Sequence, residues 1–247
     1  MSYFFAFNEI KNVTASSEDP FYPASNLLLH PTYKEYRAAT TTATLVFDML
    51  NIVTIDSLLL CGNNATADIQ VTSLTLEANT TNSWVTPAFT LTHELALDNQ
   101  INNLVHLSFA QQAFRYWRLT INNPTGNYAG FSNLYLGSKT ELAVDLGYTF
   151  SVVSRSDVNQ GRYGQRFIDR LPDLRTFSCS MSVMNQIERD ALVAMIRQCS
   201  THTPIWMVLN PGESLEEAGY FYFDSAPQIE NQAYQIYNTS FELTEVV

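Results

Sequence analysis

Short runs in which apolar and polar residues alternate dominate the first 140 positions of the chain. Residues 69–77 read IQVTSLTLE, residues 104–109 read LVHLSF, and residues 114–121 read FRYWRLTI. We expect an irregularity of register near Trp117 in the last run. Alternation with a period of two places successive side chains on opposite faces of a strand, so each run predicts a half-buried β-strand.

Two further apolar runs lie within residues 45–60 and predict two more strands separated by a short polar turn. Glycine, asparagine and proline cluster at 62–64, 122–124 and 126–127. Short strands with turn residues between them are typical of a β-sandwich or barrel. We therefore predict a β-sandwich over residues 1–140.

Residues 141–247 contain the only convincing helical pattern of the sequence. Asn185 can cap this helix, and Glu188, three positions later, completes a capping-box pair. Apolar residues at helical spacing then predict one buried face. The members of this stripe are Ile187, Ala191, Leu192, Ala194, Met195 and Cys199.

Apolar runs at 205–209, 220–223 and 234–246 predict strands around this helix. The second half is therefore expected to be an α+β domain, a sheet with one covering helix. The boundary between the two domains is placed near 140, within residues 137–146. The fold class of the whole chain is predicted to be mainly β.

Composition and charge narrow the classes of function. Of the 247 residues, 46% are apolar and 15% charged, which is typical of a globular protein. The formal net charge of −11 argues against a nucleic-acid partner, because phosphate binding needs a basic surface. No apolar run reaches the roughly 20 residues of a membrane helix, and no signal peptide is recognised, so synthesis in a cytoplasm is expected.

Catalytic and metal-binding motifs are not found in the sequence. Three cysteines without a CxxC pair predict neither a disulfide framework nor a zinc site, and we expect no cofactor. The histidines lie in no HExxH motif and near no GxSxG motif. We expect a protein that is not an enzyme, although a carboxylate pair for glycoside hydrolysis would carry no local motif. The four histidines are His30, His93, His106 and His202.

Several short motifs of the first half occur in an order known from one family. They are TASSE at 14–18, YPASNL at 22–27, ATLVFD at 43–48, FRYWRL at 114–119 and a closing strand at 131–137. In this order they resemble discoidin-like (coagulation factor 5/8 C-type) galactose-binding β-sandwiches. The resemblance implies a jelly-roll sandwich for the N-terminal half.

The combination of this sandwich with an acidic, cysteine-poor second half is similar to minor tail and baseplate proteins of tailed bacteriophages. The helix at 185–199 and an arginine-rich arm at 154–175 are compatible with the tail-tube-like fold of such proteins. This resemblance implies a non-catalytic structural component of a phage tail tip or baseplate. Its partners would be further copies of itself in a ring and other tail proteins, and its location the virion tail.

The alternative function is a carbohydrate-binding module that recognises a host-surface glycan. Loop aromatics would stack on sugar rings, and nearby carboxylates and amides would bind sugar hydroxyls. A simpler interpretation is that the loop residues only pin the loop to the sandwich and that Trp84 lies under a turn. The aromatic candidates are Tyr22, Tyr33, Tyr36 and Trp84, and the polar candidates are Glu18, Asp19, Arg37 and Asn82.

The arm at 154–175 interleaves arginine with aspartate and is the candidate subunit interface. Arginine forms two parallel hydrogen bonds to a carboxylate, which suits it to pairing with acidic residues of a neighbouring copy. The other interpretation is an ordinary solvated loop. The candidate interface residues are Arg155, Arg162, Arg166, Arg170 and Arg175, with Glu213, Glu216 and Glu217 as their acidic complement.

Overall fold

A computed structural model of the protein describes residues 2–29, 34–61, 73–94, 104–122, 128–145, 147–160, 165–169, 173–210 and 217–246. Most described elements are strands, which confirms the mainly β fold class. The chain forms two structural units. The sandwich unit comprises Phe7–Lys139 and Glu213–Ala218, and the sheet-and-helix unit comprises Met1–Ala6, Thr140–Gly212 and Gly219–Val247.

The elements are numbered in chain order. After β1 (Ser2–Phe5) come β2 (Asn12–Ala15), a 3₁₀ helix (Ala24–Leu28), β3 (Tyr36–Arg37), β4 (Thr42–Cys61), β5 (Ser73–Asn79), β6 (Phe89–Glu94), β7 (Leu104–Asn122), β8 (Gly130–Phe131) and β9 (Asn133–Gly137). Then follow β10 (Thr140–Leu142), β11 (Thr149–Val153), β12 (Asp157–Gln160), β13 (Arg166–Asp169), β14 (Leu174–Met184), α1 (Gln186–Cys199), β15 (Ile205–Val208), β16 (Ala218–Phe223), β17 (Gln228–Ala233) and β18 (Ile236–Glu245).

Two long antiparallel strands, β4 and β7, organise the sandwich unit. β2 and β9 pair with opposite ends of β4, β5 pairs with β7, and β6 pairs with β5. A separate two-stranded sheet joins β3 to β8. The inward residues of these strands form one apolar core, in which Trp117 is fully buried among Phe89, Phe109 and Phe114. The β-sandwich expected for this part of the chain is confirmed.

The expectation of two strands within residues 45–60 was wrong, because β4 continues through the polar stretch. Leu50 has φ of +63°, and its N–H donates to Asp48 Oδ1 at 2.8 Å. The register with β7 shifts between Asp48 and Val53 and again between Ile55 and Ser57. The polar residues therefore bend the strand and do not end it.

Residues 104–109 and 114–121 likewise belong to a single strand, β7. The irregularity expected near Trp117 is confirmed: Tyr116 pairs with Asp48 but Phe114 pairs with Val53, so the register shifts directly before Trp117. From Trp117 to Ile121 burial then alternates regularly.

The sheet-and-helix unit contains an antiparallel sheet in the order β10-β1-β15-β16-β18-β14-β11, and β17 also pairs with β18. β1 lies between β10 and β15, with Tyr3 opposite Glu141 on one side and Val208 on the other. The expected domain of residues 1–140 must be corrected at its start. Ser2–Phe5 completes the sheet of the other unit, because only there do both edges of β1 find a partner strand.

The helix forms as predicted and is the one α-helix in the described part of the chain. The Asn185 side chain accepts from the Glu188 N–H at 3.0 Å, and the Glu188 carboxylate accepts from the Asn185 N–H at 2.9 Å. α1 buries Leu192, Met195 and Cys199 against the sheet. Ile187 is 81% exposed and does not join the predicted stripe, because it lies in the first turn, outside the contact with the sheet. The strands predicted at 205–209, 220–223 and 234–246 correspond to β15, β16 and β18.

Removing the capping box should destabilise the sheet-and-helix unit. We expect Asn185→Ala to lower the free energy of unfolding by about 1 kcal/mol, since the Glu188 N–H loses its side-chain acceptor. Urea denaturation of the full chain measures this change. Gln198→Ala, at an exposed position of α1, is the control and should change stability by less than about 0.5 kcal/mol. Equal effects of the two variants would contradict the role of the cap.

A second prediction concerns His106 of β7. Burial, and then the nearby Lys139, lower the pKa of His106 to about 4, although Asp56 acts in the opposite direction. The unfolded chain has a histidine pKa of about 6.5, so it binds more protons than the folded chain between pH 6.5 and 4. His106 therefore makes stability fall as the pH drops through this window, by about 2–3 kcal/mol in total.

Thermal unfolding between pH 7 and pH 4 tests this linkage. His106→Gln should flatten the pH dependence, whatever its effect at pH 7. The exposed His93 of β6 provides the control, and His93→Gln should leave the slope close to that of the unmodified protein. An unchanged slope in His106→Gln would refute the assignment.

Candidate functional site

Two backbone hydrogen bonds join the loop after β2 to strand β3, and a third lies within the loop. The N–H of Asp19 donates to the Arg37 carbonyl at 2.8 Å, and the N–H of Arg37 donates to the Tyr22 carbonyl at 3.0 Å. Tyr22 in turn donates its N–H to the Asp19 carbonyl at 2.9 Å. These bonds hold Asp19, Tyr22 and Arg37 together at one place on the sandwich unit.

The guanidinium of Arg37 lies between two tyrosine rings. Its Cζ is 4.0 Å from the ring centroid of Tyr22 and 4.9 Å from that of Tyr128, and it forms an ion pair with the buried carboxylate of Glu35. We call Tyr22, Glu35, Arg37 and Tyr128 the arginine–tyrosine cluster. The Arg37 Nε is buried and has no hydrogen-bond acceptor in the described part of the chain. The cluster therefore has fixed geometry and an unused donor.

An exposed aromatic ring and two carboxylates lie beside the cluster. Phe21 is 86% exposed, and its N–H donates to Asp19 Oδ1 at 2.8 Å. Glu18 Oε2 accepts from the Ala24 N–H at 2.9 Å. Each carboxylate is thus held in place through one oxygen. The arrangement offers an apolar ring face together with fixed hydrogen-bonding groups, which is the chemistry that sugar binding uses.

The structure brings together four of the predicted ligand-binding residues: Glu18, Asp19, Tyr22 and Arg37. The prediction that Tyr36 binds a ligand must be corrected, because Tyr36 is fully buried and packs edge-on to Phe131. Its hydroxyl donates to the Ser17 carbonyl at 2.7 Å, and burial raises its pKa. Tyr36 is therefore a core residue. Tyr33 lies outside the described residues.

Trp84 belongs to a different part of the sandwich unit. Its ring lies 4.7 Å from the Arg118 Cζ, and Arg118 forms an ion pair with Glu77 at 2.6 Å on the outward face of the sheet. The indole N–H donates to Asn82 Oδ1 at 2.8 Å. None of these contacts involves the arginine–tyrosine cluster, so Trp84 and Asn82 are not brought to the same site.

Three residues at the site were missed from the sequence: Phe21, Glu35 and Tyr128. Phe21 could have been found, because it precedes Tyr22 between two prolines, and two adjacent aromatic residues of one turn rarely face the core together. Tyr128 carries no local signal, since only the pairing of β3 with β8 places it beside Arg37.

The candidate interface residues are dispersed. Arg155 and Arg166 are exposed, the latter on the hairpin of β12 and β13. The prediction that Arg175 lies at a subunit interface must be corrected. Its guanidinium pairs with Glu245 inside the same unit and lies 5.7 Å from the centre of the Phe221 ring. Glu217 is half-buried. Arg162, Arg170, Glu213 and Glu216 lie outside the described residues.

The cysteines are free thiols, and no described residues form a metal centre. Burial raises the pKa of Cys179 to about 12 and that of Cys199 to about 11. Among the residues that the structure describes, no three His, Cys, Asp or Glu side chains come together as a metal site would require. No described helix is long and apolar enough to cross a membrane.

Comparison with known families gives one partial match. A model of the XRCC1 N terminal domain family matches residues 6–115, which is less than half of the chain. No curated protein matches the chain.

Solved structures similar to this chain include three carbohydrate-binding modules. The CBM32 of AlyQ, in complex with 4,5-unsaturated mannuronic acid, has 20% identity and a TM-score of 0.42, and the match covers 51% of this chain and 94% of that module. The family 32 module of C. perfringens NanJ, in complex with galactose, has 15% identity, a TM-score of 0.44 and coverages of 55% and 98%. The fucose binding module SpX-3 of Streptococcus pneumoniae has 9% identity, a TM-score of 0.44 and coverages of 53% and 96%.

Proposed function

We propose that the protein is a non-catalytic binding protein whose sandwich unit recognises a carbohydrate at the arginine–tyrosine cluster. The observation that carries this proposal is the guanidinium of Arg37, held between the rings of Tyr22 and Tyr128 beside the exposed ring of Phe21. Because the loop is already fixed by backbone hydrogen bonds, a ligand would meet a preorganised surface.

The charges at the site favour a neutral sugar. Glu35 neutralises Arg37 through their ion pair, and Glu18 and Asp19 add two negative charges nearby. The whole chain carries a formal charge of −11, which disfavours an anionic glycan. Sugar hydroxyls can donate to the carboxylates and accept from the guanidinium, and Phe21 can stack on the apolar face of a sugar ring.

Substitution of the exposed ring tests the proposal with little risk to the fold. We expect the full chain to bind at least one neutral glycan on an array. Phe21→Ala should then weaken that binding by about fivefold to tenfold, because one aromatic contact contributes roughly 1 kcal/mol. Isothermal titration calorimetry with the glycan identified on the array measures the change.

Tyr234→Ala is the matched control, since Tyr234 is an equally exposed aromatic residue in the sheet-and-helix unit. It should leave the affinity within about twofold of the unmodified chain. A flat response across the array, or the same loss from both variants, would refute carbohydrate binding at the cluster.

A second candidate function is structural: assembly with further copies in a ring, as in the tail tip or baseplate of a phage particle. Strand β11 favours it. β11 pairs with β14 on one side only and is the last strand of its sheet. Phe150, Val152 and Val153 are exposed along it. An exposed apolar edge strand is a template for pairing with another chain. In this proposal the protein is part of the virion, and the exposed Arg155 and Arg166 face a neighbouring copy.

Assembly is tested by light scattering and electron microscopy of the purified chain, where we expect a symmetric oligomer. Val152→Lys places a charge on the edge and should shift the protein to the monomer. Val85→Lys, at an exposed position of the sandwich unit, should leave the oligomer intact. A monomer for the unmodified chain at all concentrations would exclude this function and leave the carbohydrate proposal standing.

A further inference from the structure

An open pocket of about 300 Å³ lies on the sheet of the sheet-and-helix unit, on the face opposite α1. β14, β17 and β18 form it. Met181 and Met184 of β14 point towards α1, so the alternating residues between and before them point away from it. The polar residues that line the pocket are Ser180, Ser182, Gln228, Glu230, Asn238, Thr239 and Ser240.

A β-bulge opens the sheet at this pocket. Met181 pairs with Thr239 and Met184 with Tyr237, so β14 carries one more residue than β18 between these two pairs. A bulge interrupts the ladder and bends the strand locally. Glu230 of β17 lies directly opposite Asn238 of β18 on the other side of the opening.

The hydroxyl protons of Ser180 and Ser182 are already committed to a carboxylate outside the pocket. Asp145 accepts hydrogen bonds from the Ser180 hydroxyl at 3.1 Å, from the Ser182 N–H at 2.7 Å and from the Ser182 hydroxyl. A hydroxyl has one proton and two lone pairs. Since both protons point to Asp145, Ser180 and Ser182 present their lone pairs to the pocket.

Asn238 and Glu230 bring two further hydrogen-bond acceptors to the pocket. The side-chain Oδ1 of Asn238 is buried and has no donor among the residues that the structure describes. The carboxylate of Glu230 receives a hydrogen bond from the Gln232 amide at 3.5 Å, which is at the outer limit of such bonds. A buried acceptor normally has a partner in a folded protein. The acceptors of Ser180, Ser182, Asn238 and Glu230 therefore outnumber the donors at the pocket, which are the amide groups of Gln228 and Asn238 and the hydroxyl of Ser240.

We propose that this pocket binds the protonated primary amine of a small ligand. An ammonium group brings three donors, no acceptor and one positive charge, which matches acceptors of Ser180, Ser182 and Asn238 next to the Glu230 carboxylate. The negative charge of the whole chain raises the local concentration of cations. The site is separate from the arginine–tyrosine cluster and does not depend on the proposed carbohydrate binding.

Ethanolamine and ethylene glycol are the probes, because they differ in one group only. Where ethanolamine carries an ammonium group, ethylene glycol carries a hydroxyl. Each is titrated into the isotopically labelled full chain, and backbone amide shifts are followed by NMR. We expect saturable shifts at Ser182 and Asn238 with ethanolamine and none with ethylene glycol. Glucosamine and the amide of Nα-acetyl-lysine then show whether an amino sugar or a lysine side chain is the better source of the amine.

Two variants with the same loss of charge complete the test. Glu230→Gln should weaken ethanolamine binding by about tenfold, since a charge-assisted contact is lost. Glu242→Gln is the matched control: Glu242 is exposed on the same face of β18, opposite Ser178 and outside the pocket. The affinity of Glu242→Gln for ethanolamine should stay within about twofold of that of the unmodified chain.

The proposal is overturned by any of three results. The first is an ethanolamine titration without saturable shifts at the pocket. The second is equal binding of ethylene glycol, which would show that the ammonium group is not recognised. The third is equal loss in Glu230→Gln and Glu242→Gln, which would mean a general attraction of cations to an acidic surface.

Discussion

The antiparallel pairing of β4 with β7 is the longest strand pairing described in the sandwich unit, and the other strands of its six-stranded sheet are attached to it. β2, β5 and β9 pair directly with one of these two strands, and β6 follows through β5. The inward residues of the pair, such as Phe47 and Trp117, lie at the centre of the core. Because one register fixes so many neighbours, the loops leave the sheet at defined places. The position of the arginine–tyrosine cluster depends on this register.

Arg37 shows how a charged residue is made rigid near a surface. A free arginine side chain has many rotamers, and binding a ligand would cost the entropy of ordering it. Here the rings of Tyr22 and Tyr128 pack against the guanidinium, and Glu35 forms an ion pair with it. The fold therefore already orders the Arg37 side chain before any ligand binds. The ion pair also neutralises most of the positive charge of Arg37. A guanidinium without such a partner would favour anions, whereas this one is suited to hydroxyl groups.

The local signal of the helix cap was interpreted correctly, and several pairings between distant parts of the chain were not. The capping box at Asn185 is contained within four residues, and the loop residues Glu18, Asp19 and Tyr22 lie close together in the chain. In contrast, a turn-like polar stretch at Leu50 became a bulge inside one strand, because β7 continues to pair on both sides of it. Tyr128 joined the site only through the contact of β3 with β8. Such contacts are set by tertiary packing, which leaves no local pattern.

The first strand of the chain has a consequence for how the protein is made. The Ser2 hydroxyl donates to the Leu209 carbonyl at 3.0 Å, across 207 positions of sequence, and β1 fills the space between β10 and β15. During synthesis β1 leaves the ribosome before β15 and must wait for it before their sheet can close, because the two strands are far apart in the sequence. A fragment that starts after the sandwich unit would lack an internal strand and expose two new edges. Any dissection of this chain must therefore return residues 2–5 to the C-terminal piece.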